Sequence, residues 1–537
     1  MIKMIKATKF IYSILALSLF FSGCEEKLDT APDGDTVTVD QLEDILAKWP
    51  DRLQANITGF SSFMVNFPAV TDDNDQQDDF GYPSIATRME HNGQDMVGDP
   101  IGYNWFRNNQ TYEDRLITSD NTSYMWRYFY KHIKRANDVL KLIDPETTDA
   151  VQKQYIGQAL VIRAFNYLHL AQLYQYTYKG NEDKACVPII TESTTSEEIL
   201  NNPRVPVSKV YELILSDLDR AVLLLEGFVR ADVTAVNQAV AYGVRARANL
   251  VMENWAGAAS DAQNALTKSG ATPYTLAEVS EPNFDDATHN SVLWGGVITA
   301  EDAAVKSGIC NFTSMVTSLC YGYGGYTTIV SVWKKINVNL YNRIPDTDVR
   351  KGWWIDDKGV STTVGESWKG INFAEKGMHS YTNIKFAPNN KEPLDPNNAT
   401  DFIYMRAEEM ILINAEATAM AGDLNGGKTI LEDFVKTYRN PDFASAASSS
   451  KLLQDEIWLQ RRVEFWGEGQ SWFDIKRLKK PILRKENGTS NFATGAIFNI
   501  EAEAPIMLWA IPRSEILANG GISEADNNVP GPKPVSE

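Results

Sequence analysis

The chain has 537 residues and a formal net charge of −19 at pH 7. Its hydrophobic fraction of 43% is sufficient for a large packed core, either in one large domain or in several ordinary ones. A polyanion of this size repels nucleic acid and acidic lipid surfaces, so both are poor partner candidates.

Residues 1–23 are typical of a lipoprotein signal peptide. Three lysines make a short positive region, and an apolar run follows at residues 10–21. The segment Phe21-Ser22-Gly23-Cys24 has the form of a lipobox, which predicts that Cys24 becomes the acylated first residue of the mature protein. The alternative is an ordinary signal peptide followed by an incidental cysteine. Removal of the three lysines would bring the net charge to −22.

The dominant pattern in the rest of the chain is that of amphipathic helices. Apolar residues recur at helical spacing, and alanine is frequent where helices would cross, as in tetratricopeptide-like helix pairs. The spacing predicts helices over about 124–143, 151–174, 209–225, 237–252, 255–266, 402–421, 428–438 and 452–466.

Two regions, 54–118 and 269–400, lack this helical period. They are rich in Gly, Asn, Asp, Pro and aromatic residues, with short strand-like runs such as 291–298. Long irregular insertions on a rigid frame are common places for binding sites. We therefore predict a mainly α fold for residues 24–537. Its helical scaffold covers about 119–268 and 401–480, and the irregular regions form the ligand-binding portion.

Motifs for catalysis, cofactors and metals are missing from the sequence. The five histidines form no helix-borne metal pair, and there is no nucleophile elbow, phosphate loop or dinucleotide fingerprint. The acidic run 72–79 lacks the glycine and distal glutamate of an EF-hand, which favours a solvated loop. The sequence thus predicts a protein that is not an enzyme and needs no metal or cofactor. A glycoside hydrolase, with two carboxylates facing each other across a cleft, is the enzymatic alternative.

Three further cysteines follow Cys24. Cys186, Cys310 and Cys320 are an odd number without C-x-x-C spacing, which indicates neither a disulfide framework nor a zinc site. A bridge between Cys310 and Cys320 in an oxidising compartment stays open.

Aromatic residues are concentrated in the irregular regions. A flat ring suits the apolar face of a sugar, while neighbouring Asn, Asp, Arg and Lys side chains can bond its hydroxyls. Glycines alternate with tyrosines in 321–326, which is hard to explain as core packing. The alternative is that the rings fill the core beneath long loops. The predicted glycan-binding residues are Tyr103, Asn104, Trp105, Asp95, Tyr321, Tyr323, Tyr326, Trp333 and Trp353.

Several segments together resemble the SusD/RagB family of outer-membrane nutrient-binding lipoproteins of Bacteroidetes. Residues 163–170 read RAFNYLHL, and residues 406–417 read RAEEMILINAEA. The most specific block, IWLQRRVEFWGEGQSWFDIKR at 457–477, is followed by WAIPRSEI at 509–516. Two departures are Gln460, where glutamate is usual, and Gln470-Ser471, where an arginine is common.

The resemblance implies a SusD-like fold and a surface-exposed lipoprotein anchored in the outer membrane through Cys24. Its implied partner is a SusC-like TonB-dependent transporter, over which it acts as a lid that traps oligosaccharide or polysaccharide. Capture of peptide or another polymer is the alternative, and a helical scaffold that binds only protein is a further one. The signature residues are expected to form buried or half-buried ion pairs that tie helices together, namely Arg461, Glu464, Glu468, Asp474 and Arg477.

Overall fold

The computed structural model describes residues 52–71, 76–99, 105–320, 332–393, 395 and 397–536. The chain divides into two compact units, Met1–Ala55 and Asn56–Glu537. The predicted signal peptide and Cys24 lie outside the described residues. Within the described residues, no helix is long and apolar enough to cross a membrane.

Helices dominate the described chain, which confirms the predicted mainly α class. The longer ones are α1 (Arg52–Val65), α2 (Tyr82–Asn92), α3 (Asp120–Leu142), α4 (Ala150–Tyr174), α5 (Val207–Leu224), α6 (Gln238–Val251), α7 (Trp255–Ser269), α8 (Ala407–Met420), α9 (Leu424–Tyr438) and α10 (Ser450–Glu464). Short helices cover Arg107–Gln110, Ser196–Ile199, Ala303–Lys306, Phe312–Val316, Val338–Tyr341, Ser471–Arg477 and Arg513–Ala518.

Helices α3 to α8 pack in chain order, each against the next, and α8 also contacts α9 and α10. In this series α4 lies between α3 and α5, and all of its residues from Tyr155 to Tyr174 are buried. Its first turn is capped by Asp149, whose side chain accepts a hydrogen bond from the Gln152 amide at 2.8 Å. A β-carbon at Gly157 would lie 2.7 Å from Leu225 Cγ, so glycine permits the close approach at the end of α5.

Eight short strands form two-stranded antiparallel pairs in the described residues. The pairs are β1 (Met96–Gly98) with β3 (Lys334–Ile336), β2 (Val292–Gly296) with β6 (Phe402–Arg406), β4 (Ser367–Trp368) with β5 (Ile371–Asn372), and β7 (Ile482–Leu483) with β8 (Asn499–Ile500). The predicted strand-like run at 291–298 thus contains β2. The predicted helix at 402–421 is wrong in its first turn, because residues 402–406 pair with β2 instead.

The predicted ion pairs of the signature block are present and buried. Arg461 and Arg477 both contact Asp474 at 2.7 Å, and Arg477 also contacts Glu416 on α8 at 2.6 Å. These contacts join α8, α10 and the short helix Ser471–Arg477. The prediction that this block holds the fold together through paired charges is confirmed.

Glu464 and Glu468 complete the predicted set of ion pairs. Glu464 Oε1 lies 2.7 Å from both Arg406 and Arg439, and Glu468 lies 2.9 Å from Arg406 and 2.6 Å from Lys385. The side chains of Glu464, Arg406 and Arg439 are at most 1% exposed, so their charges are stabilised by each other rather than by water.

Cys310 and Cys320 carry free thiols and are buried. Burial raises the pKa of the Cys310 thiol to about 11, and burial also raises the pKa of Cys320. The bridge that the sequence left open is not formed in this structure.

Candidate functional site

A cavity of about 550 Å³ opens beside the start of α3. This volume is within the range of pockets that hold small organic ligands. Its walls come from the segment after α1, the segment before α2, the short helix Arg107–Gln110 and the first two turns of α3. The lining residues are Val70, Thr71, Gln76, Asp78, Trp105, Asn108, Asp120, Asn121, Ser123, Tyr124 and Arg127.

The wall supplied by α3 is polar because the helix begins before its apolar stripe. The stripe starts at Tyr124, where the sequence predicted the helix to begin, but the helix starts four residues earlier at Asp120. Asp120, Ser123 and Arg127 are spaced so that they share one helix face. Asp120 and Arg127 are exposed, and Asn121 Oδ1 is a buried acceptor without a hydrogen-bond partner. This face therefore offers both acceptors and donors to a ligand.

A buried cation supports the cavity from behind. The Arg88 guanidinium lies 4.4 Å from the centroid of the Tyr124 ring and 2.6 Å from Asp78 Oδ2. Tyr124 Oη donates to Gly81 O at 3.2 Å. Burial raises the pKa of Asp78 above its usual value, although the charge of Arg88 opposes the shift. Arg88 thus fixes the positions of two lining side chains, Asp78 and Tyr124.

The segment after α1 is held in place by one carboxylate. Asp79 is fully buried and accepts hydrogen bonds from the backbone amides of Ala69, Val70 and Thr71 at 2.8 to 3.0 Å. It also accepts one from Thr71 Oγ1 at 2.8 Å. An acceptor-only carboxylate suits four converging donors, so Asp79 sets where Val70 and Thr71 meet the cavity.

We expect Asp79→Asn to weaken this wall. The new amide nitrogen would face donors that already point inward, which leaves at least one of them unsatisfied. The free energy of unfolding should fall by about 2 kcal/mol, as for loss of hydrogen bonds to a charged acceptor. Urea unfolding of the wild type and the variant measures the change. Asp286→Asn, on the surface, is the control, and equal stability of Asp79→Asn and wild type would contradict the assignment.

Trp105 is the predicted site residue that the structure places on the cavity. Its side chain is half-buried, whereas the next residue, Phe106, is fully buried. Tyr103, Asn104, Tyr321, Tyr323 and Tyr326 lie outside the described residues, so their role stays a prediction.

Three other predicted site residues are corrected by their burial. Trp333 and Trp353 are 1% and 2% exposed, and Trp353 Nε1 donates to Val279 O at 2.8 Å. Asp95 is fully buried, 2.6 Å from Arg462 and 2.9 Å from Ser471 Oγ. These side chains belong to the core, because segments distant in sequence cover them, and they offer no surface to a sugar. For the two tryptophans, the alternative reading as core beneath loops is the correct one.

Strands β1 and β3 bring two parts of the chain that are distant in sequence together. The strands are antiparallel, with Gly98 opposite Lys334, so the end of β1 lies beside the start of β3. Gly98 and Lys334 are more than 200 residues apart in the sequence, and only the fold makes them neighbours.

Several lining residues were not predicted from the sequence. Asn108, Asp120 and Arg127 are exposed polar residues at helical positions, which are usually a solvated face. Gln76 lies within the acidic run 72–79, which was interpreted as a solvated loop, although Asp78 and Asp79 at its end are buried. The available signal was that Asn108 follows Trp105 by three residues in the sequence.

In the described residues, a helical scaffold carries a polar cavity with a half-buried tryptophan on its wall, an arrangement typical of ligand-binding proteins. The family comparisons agree with that class. Residues 61–250 match a SusD-like model described as starch-binding and associating with the outer membrane, and residues 354–530 match the SusD family model. The two matches together span more than half of the chain, and the protein belongs to the SusD/RagB family, as the sequence motifs predicted.

Individual relatives are distant in sequence. SusD-like protein P2 from Formosa agariphila is 25% identical over 391 residues, which are 66% of this chain and 72% of that protein. A SusD-like carbohydrate-binding protein from Bacteroides vulgatus has a TM-score of 0.72 at 24% identity, over 90% of this chain and 98% of that one. Surface glycan-binding protein A from Bacteroides fluxus has a TM-score of 0.63 at 16% identity, over 89% and 98%. These two structures share the fold.

Proposed function

We propose that this protein captures oligosaccharide or polysaccharide at the cell surface and delivers it to a SusC-like TonB-dependent transporter. The observation that carries the proposal is the cavity of about 550 Å³ with Trp105 at its wall. Carbohydrate binding by the structurally similar protein from Bacteroides vulgatus supports the same ligand class.

The lining groups match the chemistry of a sugar. An indole face removes the apolar C–H face of a sugar ring from water, and Trp105 is only half-buried, so part of its side chain is accessible. Sugar hydroxyls both donate and accept hydrogen bonds. Asp120 and Asn121 supply acceptors, and Asn108 and Arg127 supply donors. Together these groups bind a neutral polyhydroxylated ring without any covalent step.

We propose capture without catalysis. Hydrolysis of a glycosidic bond needs two carboxyl groups across the bond, one of them as a proton donor. Among the described lining residues, the carboxylates are Asp78 and Asp120. Asp78 is buried and its Oδ2 lies 2.6 Å from Arg88, which leaves Asp120 as the exposed carboxylate of this set. The arrangement therefore favours a binding role, with delivery to the transporter as the productive step.

Attachment to the outer membrane completes the proposal. The SusD-like family model that matches residues 61–250 is described as outer-membrane associated. The lipobox predicts an acylated Cys24, which would anchor the folded body to that membrane. Mass spectrometry of the protein from native membranes tests the lipid on Cys24. Co-purification with a TonB-dependent transporter tests the partner, and recovery without any transporter would contradict the delivery step.

The binding test uses the mature chain from residue 25 and a panel of immobilised plant, algal and host glycans. We expect at least one glycan to be retained, and Trp105→Ala to weaken its binding at least about tenfold, the effect of losing about 1.4 kcal/mol. Isothermal titration calorimetry with the retained glycan measures the change. Trp255→Ala, on a half-exposed tryptophan at the start of α7, is the matched control and should bind normally.

The outcomes separate the site from the function. Unchanged binding by Trp105→Ala would keep glycan capture and reject this cavity as the site. No retention on any glycan would reject the glycan proposal in favour of peptide or another polymer, which a peptide library then tests.

A further inference from the structure

Tyr381 has a backbone conformation that is unusual for an aromatic residue. Its φ is 68°, in the left-handed region where glycine and asparagine are usual and bulky side chains are strained. Two hydrogen bonds hold it there. Its amide donates to Ile355 O at 2.9 Å, and its carbonyl accepts from the Ile336 amide at 3.0 Å. Strained backbone positions of this kind cluster at ligand-binding sites, which makes the Tyr381 ring a candidate contact.

The ring is placed at the surface against a second tyrosine. Tyr381 is half-buried and packs edge-to-face on Tyr341, with 5.2 Å between ring centroids. Lys351 Nζ lies 5.2 Å from the Tyr341 centroid. Burial, with smaller contributions from the carboxylates of Asp357 and Asp356, raises the pKa of Tyr381. The aromatic pair is therefore surrounded by groups that can donate or accept hydrogen bonds.

Three more polar residues form a cluster close to Tyr381 along the chain and across the paired backbone. Asp99, directly after β1, is 2.5 Å from Lys335 Nζ and 2.9 Å from His379 Nδ1. Lys335 pairs with Thr382, the residue after Tyr381, and the His379 side chain is 47% exposed. We call Tyr381, Tyr341, His379, Lys335 and Asp99 the Tyr381 patch. It combines a ring face with charged hydrogen-bonding groups, as the cavity does.

The patch lies within reach of the cavity. Asp99 belongs to the patch and Trp105 to the cavity, and five residues lie between them in the sequence. The Cα atoms of Asp99 and Trp105 are therefore at most about 21 Å apart. An extended oligosaccharide of several rings is long enough to contact both places.

We propose that the Tyr381 patch is a second contact for a glycan chain whose other end occupies the Trp105 cavity. The inference rests on the proposed glycan-capture function and adds that the preferred substrate is an extended chain. Two weak contacts on one chain act together, since the second forms within a complex already made. Affinity should consequently increase with the length of the glycan, and the patch should provide that increase.

The test compares glycan lengths in size-fractionated hydrolysates of amylose, xylan, laminarin and mannan. Tyr381→Gly removes the ring and suits the left-handed backbone, whereas Tyr381→Phe keeps the ring as the matched control. We expect Tyr381→Gly to bind long fractions about tenfold more weakly and the shortest bound fraction as well as wild type. Tyr381→Phe should stay near wild type at every length. His379→Ala, an exposed change, should also weaken long fractions selectively and keeps the test valid if Tyr381→Gly unfolds.

Other outcomes overturn the inference in distinguishable ways. If wild type, Tyr381→Gly and His379→Ala bind long fractions with equal affinity, the patch is not a glycan contact, and the proposal of glycan capture is unaffected. An equal loss at all lengths, with an unchanged unfolding temperature, would show that the variants act through the cavity instead. If wild type retains no glycan of the immobilised panel and binds no fraction of the four hydrolysates, the proposed function fails and this inference fails with it.

Discussion

Replacement of Glu464 by glutamine is expected to lower the free energy of unfolding by about 3–5 kcal/mol, the range for breaking a buried ion pair from one side. The carboxylate lies 2.7 Å from Arg406 and Arg439 and 3.2 Å from Arg350. All three guanidinium groups are at most 1% exposed. A neutral amide would leave them short of one negative charge and would place its own donors against theirs.

The effect should depend on pH with a definite sign. Burial by itself would raise the pKa of Glu464, but Arg439, Arg406 and Arg350 hold it well below its usual value. A carboxyl group with a lowered pKa stabilises the fold above its unfolded pKa, near 4.5, and loses that contribution as the pH falls through the folded value. The difference in the free energy of unfolding between wild type and Glu464→Gln should therefore be largest at pH 7 and become smaller in acid.

Urea unfolding at pH 7 and at pH 3 measures both quantities. Glu281→Gln, on an exposed glutamate, is the control for the chemical change alone and should stay within about 0.5 kcal/mol of wild type. If Glu464→Gln is as stable as this control at pH 7, the three arginines do not depend on Glu464. Should the variant fail to fold, Arg350→Met tests the same cluster at its longest contact.

The opposite sign is expected for Glu90→Gln, which should stabilise the protein at neutral pH. Glu90 on α2 is fully buried, and burial, followed by repulsion from Asp95, raises its pKa to about 8. The Gly469 amide donates to Oε1 at 2.8 Å, but this bond is too weak to offset the burial. At pH 7 the folded protein therefore holds a proton that the unfolded chain, with a pKa near 4.5, releases.

Uptake of this proton on folding costs more free energy as the pH rises. Because the folded pKa is raised, Glu90 does not reduce the free energy of unfolding below its unfolded pKa near 4.5. Above that pH the free energy of unfolding falls progressively, until the pH reaches the folded pKa near 8. Each pH unit in that window corresponds to about 1.4 kcal/mol. Glutamine carries no proton to release, so Glu90→Gln should be more stable than wild type by about 3 kcal/mol at pH 7 and nearly equal to it at pH 4.5.

Unfolding free energies of both proteins from pH 4.5 to 8 provide the test. Buried lysines also titrate in this range, since burial lowers the pKa of Lys334 and Lys476 to about 7. Their contribution is common to both proteins, so the difference between the two curves isolates Glu90. A difference that stays flat with pH would mean that Glu90 is ionised in the folded protein. Glu281→Gln again controls for the substitution.

The periodicity of the sequence predicted most of the scaffold because helix formation depends on neighbours three and four positions away. The stripe that begins at Tyr124 identified α3, and the signature block identified the buried pairs of Arg461, Asp474 and Arg477. The predictions from periodicity were wrong where the local pattern is ambiguous. Residues 402–406 continue an apolar run into α8, yet they form β6 because β2 offers them a pairing edge.

The candidate site could be predicted only in part. The aromatic content of the irregular regions selected Trp105, which the structure places on the cavity wall. The same criterion selected Trp333 and Trp353, which are buried. Nothing in the local sequence distinguishes a ring on the surface of a loop from a ring beneath one, since the difference lies in the chain that covers it.

The sequence by itself determined the helical class, the family and the paired charges that join the helices, because periodic spacing and a long contiguous signature are local properties. Only the tertiary structure decided which aromatic and acidic residues are buried and which line the cavity. Asp95 meets Arg462 across 367 residues, and this contact removes its carboxylate from the site. The cavity likewise combines Thr71, Trp105 and Arg127 from separate segments. Burial and convergence depend on which distant segments pack together, and the folded chain alone sets that.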